Sequence, residues 1–361
     1  MVTQRTVCII PQLISTCSMW FTLMPFYDFQ TKEIVYFKLY RFYSVCFMLT
    51  MLTISVWSNT YRHKRFLDLL HSKDQSCLDY AIEFIGVAGI LITSISSSFW
   101  KTTTWCNLLR KVAKIEEENS KKSNTDYDNI IFVICCVFLL SVTSVFWIKF
   151  GIIALYYLSY NGIYFNQFLL AMNIYHIVKT IKNRYIELNL TLKGLKGIPN
   201  IKVRLETMEM VERVYIELYD VITMFNTIFG WPVLALMFSF GLMLMSCILF
   251  ATVVTGEVAV CYMLLSIITF IWPLVITFSC DLTTKEAQKI PQRCLKMEKK
   301  LIVTPEELAA LRSFENRALV HVPKFTAAGF FEINRVTLLT FISNLATYFV
   351  VLMQLNSMFN K

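Results

Sequence analysis

Seven stretches of the chain are apolar for long enough to cross a bilayer: roughly 37–57, 81–99, 130–150, 160–179, 226–250, 258–280 and 334–356. A hydrocarbon core about 30 Å thick needs a helix of about 20 such residues. A helix also satisfies its own backbone, which lipid requires. An eighth apolar stretch, 7–27, is interrupted by Pro11, Gln12, Ser15, Thr16, Ser18 and Pro25. It has no small-residue cleavage site, so it reads as an embedded or interfacial N-terminal segment rather than a signal peptide.

Between the runs the period changes. In 201–225, Met208, Val211, Tyr215, Leu218, Ile222 and Phe225 recur at steps of three and four, with Glu206, Glu209, Glu212, Glu217 and Asp220 on the other faces. That pattern predicts an amphipathic helix running on into the fifth apolar run. A second helix is predicted to begin at Thr304-Pro305-Glu306-Glu307, where Thr304 can cap, Pro305 suits the first position and Glu307 can close a capping box. Leu308, Leu311, Glu315, Ala318 and Leu319 are expected on one side of it. Both stripes fit either packing within one subunit or an intracellular bundle joining subunits.

Composition agrees with a membrane protein. Of 361 residues, 56% are hydrophobic and 16% charged, and mean hydropathy is +0.55. An average soluble domain carries roughly 25% charge, so this chain could not cover a water-facing surface. The net charge of +9 maps onto topology rather than onto a nucleic-acid partner. Cytoplasmic loops collect Lys and Arg. The N-terminal segment holds two, the linker after the second run six, that after the fourth eight and that after the sixth nine. On the other side the first linker holds four and the C-terminus one, while 151–159 and 251–257 hold none. The expected fold is therefore an all-α membrane protein with seven transmembrane helices, N-terminus cytoplasmic and C-terminus extracellular. It forms a single domain over 1–361 with an intracellular anchor region at 180–225 and 281–333. The Asn189-Leu190-Thr191 sequon lies in the fourth linker and is expected to carry no glycan. Lys121-Lys122 and Lys296–Lys300 read as solvated charge near anionic lipid.

Catalytic chemistry is missing from the sequence. It has no phosphate-binding Gly-rich loop, no G-x-S-x-G, no H-E-x-x-H and no Cys-x-x-Cys. The eleven Cys are scattered through apolar runs, and the four His have no motif around them. An enzyme, a metal and a cofactor are not expected. A polar-aromatic group gathers at the outer ends of the third and fourth runs: Trp147, Tyr156, Tyr157, Tyr160, Tyr164, Phe165 and Gln167. Glu83, Lys149 and Glu257 lie at comparable depth. The group fits an aromatic belt at the lipid interface or the wall of a small-molecule pocket. As pocket candidates it contributes Glu83, Trp147, Tyr160, Tyr164, Phe165 and Gln167.

The last run is the most distinctive. Thr347, Val351 and Gln354 fall at i, i+4 and i+7 on one helix face, and Leu355 follows. An amide facing lipid is unfavourable. It could instead bond a neighbouring helix, or face water in a pore and help hydrate a passing ion.

Thr347-Tyr348, five mostly apolar residues and Gln354-Leu355 resemble the insect gustatory receptor signature, with Leu355 where that family has Phe. Gly329-Phe330-Phe331 and Asn334 also resemble it. The resemblance implies a seven-span, ligand-gated, non-selective cation channel. Its last span would line a central pore in a homotetramer or in a heteromer with related subunits, and its outward pocket would lie among spans two to six. Carried over, Thr347, Val351, Gln354 and Leu355 line the pore, with Gln354 and Leu355 at or near the gate, and Tyr348 packs between helices. Phe349 stands where sugar-receptor members often carry Glu, which points toward a bitter tastant. The implied partners are a small-molecule tastant, permeating cations and the lipid bilayer, in the plasma membrane of a sensory dendrite. Two other classes stay open: a seven-span G-protein-coupled receptor, though Asp-Arg-Tyr and Asn-Pro-x-x-Tyr are missing, and a secondary transporter, though no repeated half is evident.

Overall fold

The computed structural model describes residues 12–28, 33–34, 38–65, 73–118, 125–150, 158–253, 257–300 and 304–359. The chain is mostly helical. The helices are α1 (Gln12–Trp20), α2 (Lys38–Arg65), α3 (Lys73–Ile95), α4 (Thr102–Glu118), α5 (Thr125–Phe150), α6 (Leu158–Gly194), α7 (Ile201–Val253), α8 (Glu257–Lys300), α9 (Pro305–Val320) and α10 (Arg335–Phe359). Two small antiparallel hairpins join them, β1 (Tyr27–Asp28) with β2 (Glu33–Ile34) and β3 (Thr326–Ala327) with β4 (Phe331–Glu332). A π-helical turn, Ser96–Trp100, ends α3.

Helices α2, α3, α5, α6, α7, α8 and α10 cover the seven apolar runs. Among the described residues, Lys38–Thr60, Tyr80–Trp100 and Ile201–Ser246 are long and apolar enough to cross a membrane by length and composition. Helix α7 is one uninterrupted rod of 53 residues, about 80 Å long at the usual rise. Its first half carries the anticipated stripe: Met208, Val211, Tyr215, Leu218, Ile222 and Phe225 are all buried.

At the end of the bundle where α7 begins, here the basal end, α6, α7, α8 and α9 share one apolar core. Tyr215 of α7 meets Tyr185 of α6 and Phe314 of α9 edge-on, with centroids 5.9 and 6.0 Å away, and its hydroxyl donates to the Ala318 and His321 carbonyls at 3.3 Å. Helix α9 starts as expected, with Thr304 as cap, Pro305 in the first turn and a complete capping box to Glu307. Its buried stripe differs from the sequence reading: Glu307, Leu311, Phe314 and Ala318 face inward, while Leu319 is 56% exposed. Phe314 takes the inner position because the stripe advances by four, three and four residues along the helix. Asn189, the sequon residue, is buried, and its Nδ2 donates to the Tyr185 and Glu286 carbonyls at 3.0 and 2.8 Å.

Helix α4, in the linker after the second apolar run, packs Trp105, Leu108, Leu109, Val112 and Ile115 into the same core. Its far end brings Glu116 beside Asp128 of α5 and Lys179 of α6. Lys179 Nζ donates to both Asp128 carboxylate oxygens, at 2.9 and 2.7 Å. Burial pushes the Glu116 carboxyl up to about 7; Lys179 opposes that shift and Asp128 adds to it. The folded chain thus holds this proton more tightly than the unfolded chain. The associated stability is present below the unfolded value of 4.5 and is lost as pH rises through 7. Glu116→Gln is therefore expected to flatten the fall in melting temperature of the detergent-solubilised protein between about pH 4.5 and 7. An unchanged slope would remove Glu116 as its source. Lys121-Lys122 lie outside the described residues.

The short helix α1 packs on α5 and α6, and Thr22 in the turn after it reaches Ser94 at the end of α3. Its polar groups are met by protein: Ser18 bonds the Ile14 carbonyl at 2.6 Å and Asn173 at 2.7 Å, and Thr22 bonds Ser94 at 2.6 Å. Irregular backbone at membrane depth is tolerated only with such cover. The β3–β4 hairpin then sets where α10 starts. Its turn uses Ala328 and Gly329 at positive φ and sits on Gly230 of α7, where a Cβ would come within 2.7 Å of the Ala328 nitrogen. Asn226 holds both ends of that contact, donating to the Lys324 carbonyl and accepting from the Thr326 N–H.

Candidate functional site: a cleft and an uncovered helix

Helix α10 packs against its own chain along one face. Leu338 is buried, and Phe341 and Leu345 lie so close to Gly241 of α7 that a Cβ there would meet them at 2.8 and 3.3 Å. Its first residue is tied to α8. Arg335 Nε reaches Asp281 at 2.9 Å, and its guanidinium lies 4.5 Å over the Phe278 ring. Asn334 caps the helix, accepting from the Thr337 N–H at 2.8 Å. Other described side chains of α10 are bare: Val336, Leu339, Tyr348, Val350 and Val351 are 45–72% exposed.

From the centre of the face formed by Leu338, Phe341 and Leu345, Thr347 and Gln354 project about 150° or more and Val351 about 115°, at 100° per residue. All three are exposed on the single chain. Thr347 Oγ1 donates back to the Ser343 carbonyl at 3.1 Å. Leu355 continues the helix, with its side chain outside the described residues. Tyr348, expected to pack between helices, is 64% exposed on this chain.

A cleft lies between α3, α6 and α7, in the half of the bundle away from the basal end. Gly86, Gly89 and Thr93 line it from α3, Asn166, Gln167 and Leu170 from α6, and Pro232, Ala235 and Leu236 from α7. The glycines bring the helices together: a Cβ on Gly86 would meet Ile163 at 2.7 Å, and one on Gly89 would meet Ala235 at 3.2 Å. Pro232 lacks an N–H, so α7 is locally one ladder bond short. The open volume is about 10 Å³, room for about one water.

The sequence-derived pocket residues distribute around this cleft. Gln167 lines it and donates to Ser239 of α7 at 2.9 Å. Tyr160 and Tyr164 are buried with Ile82 and Met243, farther from the basal end, and the Tyr164 hydroxyl lies 3.0 Å from the Met243 sulfur. Glu83 turns to α2, where it is fully buried and accepts from Ser55 at 2.9 Å. Phe165 turns to Phe21 after α1, 4.9 Å between centroids. The Trp147 side chain, Tyr156 and Tyr157 lie outside the described residues. The sequence reading missed Asn166, which lines the cleft at 2% exposure with its Nδ2 unpartnered among the described residues. Two adjacent amides in an apolar run were the available signal.

A family model described as 7tm Chemosensory receptor matches residues 12–359. The fold is similar to that of the insect olfactory receptor OR5 from Machilis hrabei, with a TM-score of 0.64 and 14% identity over 88% of this chain and 90% of that one. The structure of that receptor in complex with eugenol gives a TM-score of 0.62 and 12% identity over 95% and 98%. No curated protein matches the chain at significance.

Proposed function

Because the chain belongs to the 7tm chemosensory receptor family, we propose that it is a gustatory receptor working as a ligand-gated, non-selective cation channel opened by a small, bitter tastant. The observation that carries this reading is the stripe of Thr347, Val351 and Gln354 on the face of α10 turned away from its own chain. Four copies around an axis would give that face an aqueous environment. A ring of Gln354 amides would hydrate the passing ion, and Leu355 would close the path. The assembly is a homotetramer or a heteromer with related subunits, joined through the basal helices as an intracellular anchor. Seven spans place the N-terminus inside and the C-terminus outside the plasma membrane, in keeping with the distribution of Lys and Arg. The family match does not favour a G-protein-coupled receptor.

The ligand enters the cleft between α3, α6 and α7, beneath the Tyr160–Tyr164 cluster. That the similar olfactory receptor forms a complex with eugenol supports a small-molecule ligand for this chain. The closed cleft has almost no room, so a ligand binds the opened form alone, and such differential affinity is what shifts a conformational equilibrium. Displacing α7 at Ala235 moves Gly241, about two turns along, and with it Phe341 of α10. Expressed alone in a cell without other receptors, the chain is expected to give tastant-evoked cation current that persists when G proteins are blocked. Gly89→Leu, whose side chain would press on Ala235, should raise the current without tastant and remove the tastant-evoked increment at normal surface expression. Concentrative uptake without current would instead identify a transporter.

A further inference from the structure

We infer that the cleft selects compact, uncharged, largely apolar compounds that carry a hydrogen-bond acceptor, with the Asn166 amide as the donor that reads it. This deepens the channel reading and rests on it for the role of the cleft. Three features of the lining carry the assignment. First, the side chains around Asn166 are apolar or neutral, with no carboxylate or cation among the described lining residues. A protonated amine would be desolvated there without a counter-charge. The nearest carboxylate along α3, Glu83, is engaged by Ser55 of α2 instead.

Second, the other polar groups of the lining are already spoken for. The Gln167 amide donates to Ser239, and the Thr93 hydroxyl donates to the Gly89 carbonyl. A polyhydroxy ligand would bring many donors and acceptors to a wall that can answer few of them, and each one left unpaired weakens binding. Third, Asn166 is 2% exposed and its Nδ2 has no partner among the described residues. An acceptor oxygen on a ligand would satisfy a buried donor that the closed cleft leaves unmatched. Compactness follows from the glycine contacts, since any occupant has to part helices that touch at Gly86 and Gly89.

The test uses the full-length chain in nanodiscs. The probes are cyclic ketones and lactones, each paired with the hydrocarbon of the same skeleton, with glucose and protonated quinine alongside. Thermal-shift titrations are expected to show each ketone or lactone binding about fivefold more tightly than its hydrocarbon, the usual worth of one net hydrogen bond. Asn166→Leu should erase that difference, and Asn166→Ser, which keeps a donor, should retain part of it. Equal binding of each pair, tighter binding of glucose or quinine, no shift from any probe, or a preference that survives in Asn166→Leu would each overturn the assignment. Currents recorded in parallel separate the two levels. The expected ranking without ligand-evoked current would remove the channel reading and leave the ligand class standing. Currents whose ligand ranking ignores Asn166 would do the reverse.

Discussion

Gln354→Lys is expected to suppress the ligand-evoked cation current more than a hundredfold with surface expression unchanged. In a tetramer the substitution places four ammonium groups around the ion path. A charge about 8 Å from a permeating cation opposes it by about 2 kcal/mol at an effective dielectric constant of about 20, and four act together. Since about 1.4 kcal/mol is a tenfold change in rate, even strong screening leaves a large block. Gln354→Asn keeps an amide on the same face of α10 and should conduct with altered selectivity. Leu355→Ala should raise the current in the absence of ligand, because it removes the apolar closure. Whole-cell recording with surface labelling reads all three. Wild-type conduction in Gln354→Lys would show that the stripe does not border the ion path.

The second large effect concerns stability. Arg204 of α7 donates from Nε to Glu307 of α9 at 2.7 Å, with the Glu307 side chain 3% exposed. Burial alone would raise the Glu307 carboxyl. The Thr304 backbone N–H and the Arg204 guanidinium reverse that and hold it below its ordinary value of 4.5. Arg204→Met strands a buried carboxylate and should cost about 3 kcal/mol, lowering the melting temperature by several degrees at pH 7. The sign with pH follows from the depressed value. The pair contributes fully above 4.5, and its contribution is lost as pH falls through the lower folded value. The gap between wild type and variant should therefore narrow in acid. A gap that stays constant from pH 7 to below pH 4 would place the loss elsewhere, in the aliphatic packing of the Arg204 side chain.

Much of the helical architecture was legible because lipid and helix geometry leave few options. The stripe from Met208 to Phe225 and the capping box at Thr304 are local signals, and both appear in the structure. Helix α4 was legible in the same way, through Trp105, Leu108, Leu109, Val112 and Ile115, but its six-cation setting disguised it as a loop. The cleft was only half legible. Gln167 was visible as an amide in an apolar run. Which of two adjacent amides finds a partner depends on Ser239, more than seventy residues away, and local periodicity says nothing about that. Glu83 shows the same limit. Its depth was readable, while its direction depends on Ser55 of α2. The direction of the Thr347–Val351–Gln354 face followed from the helical period, but its relation to the packed face required knowing that Gly241 lies against Phe341 and Leu345.

The unbroken course of α7 through both halves of the molecule has a consequence for how its length can vary. The Met208–Phe225 stripe and the cleft wall at Pro232, Ala235 and Leu236 belong to one helical phase. One residue inserted between them would turn the wall by about 100° relative to the stripe, pointing different side chains at α3 and α6. Deletions and insertions should therefore be excluded from Phe225–Pro232 except in multiples near whole turns. The short connection 195–200 ahead of α7 has no such phase to keep.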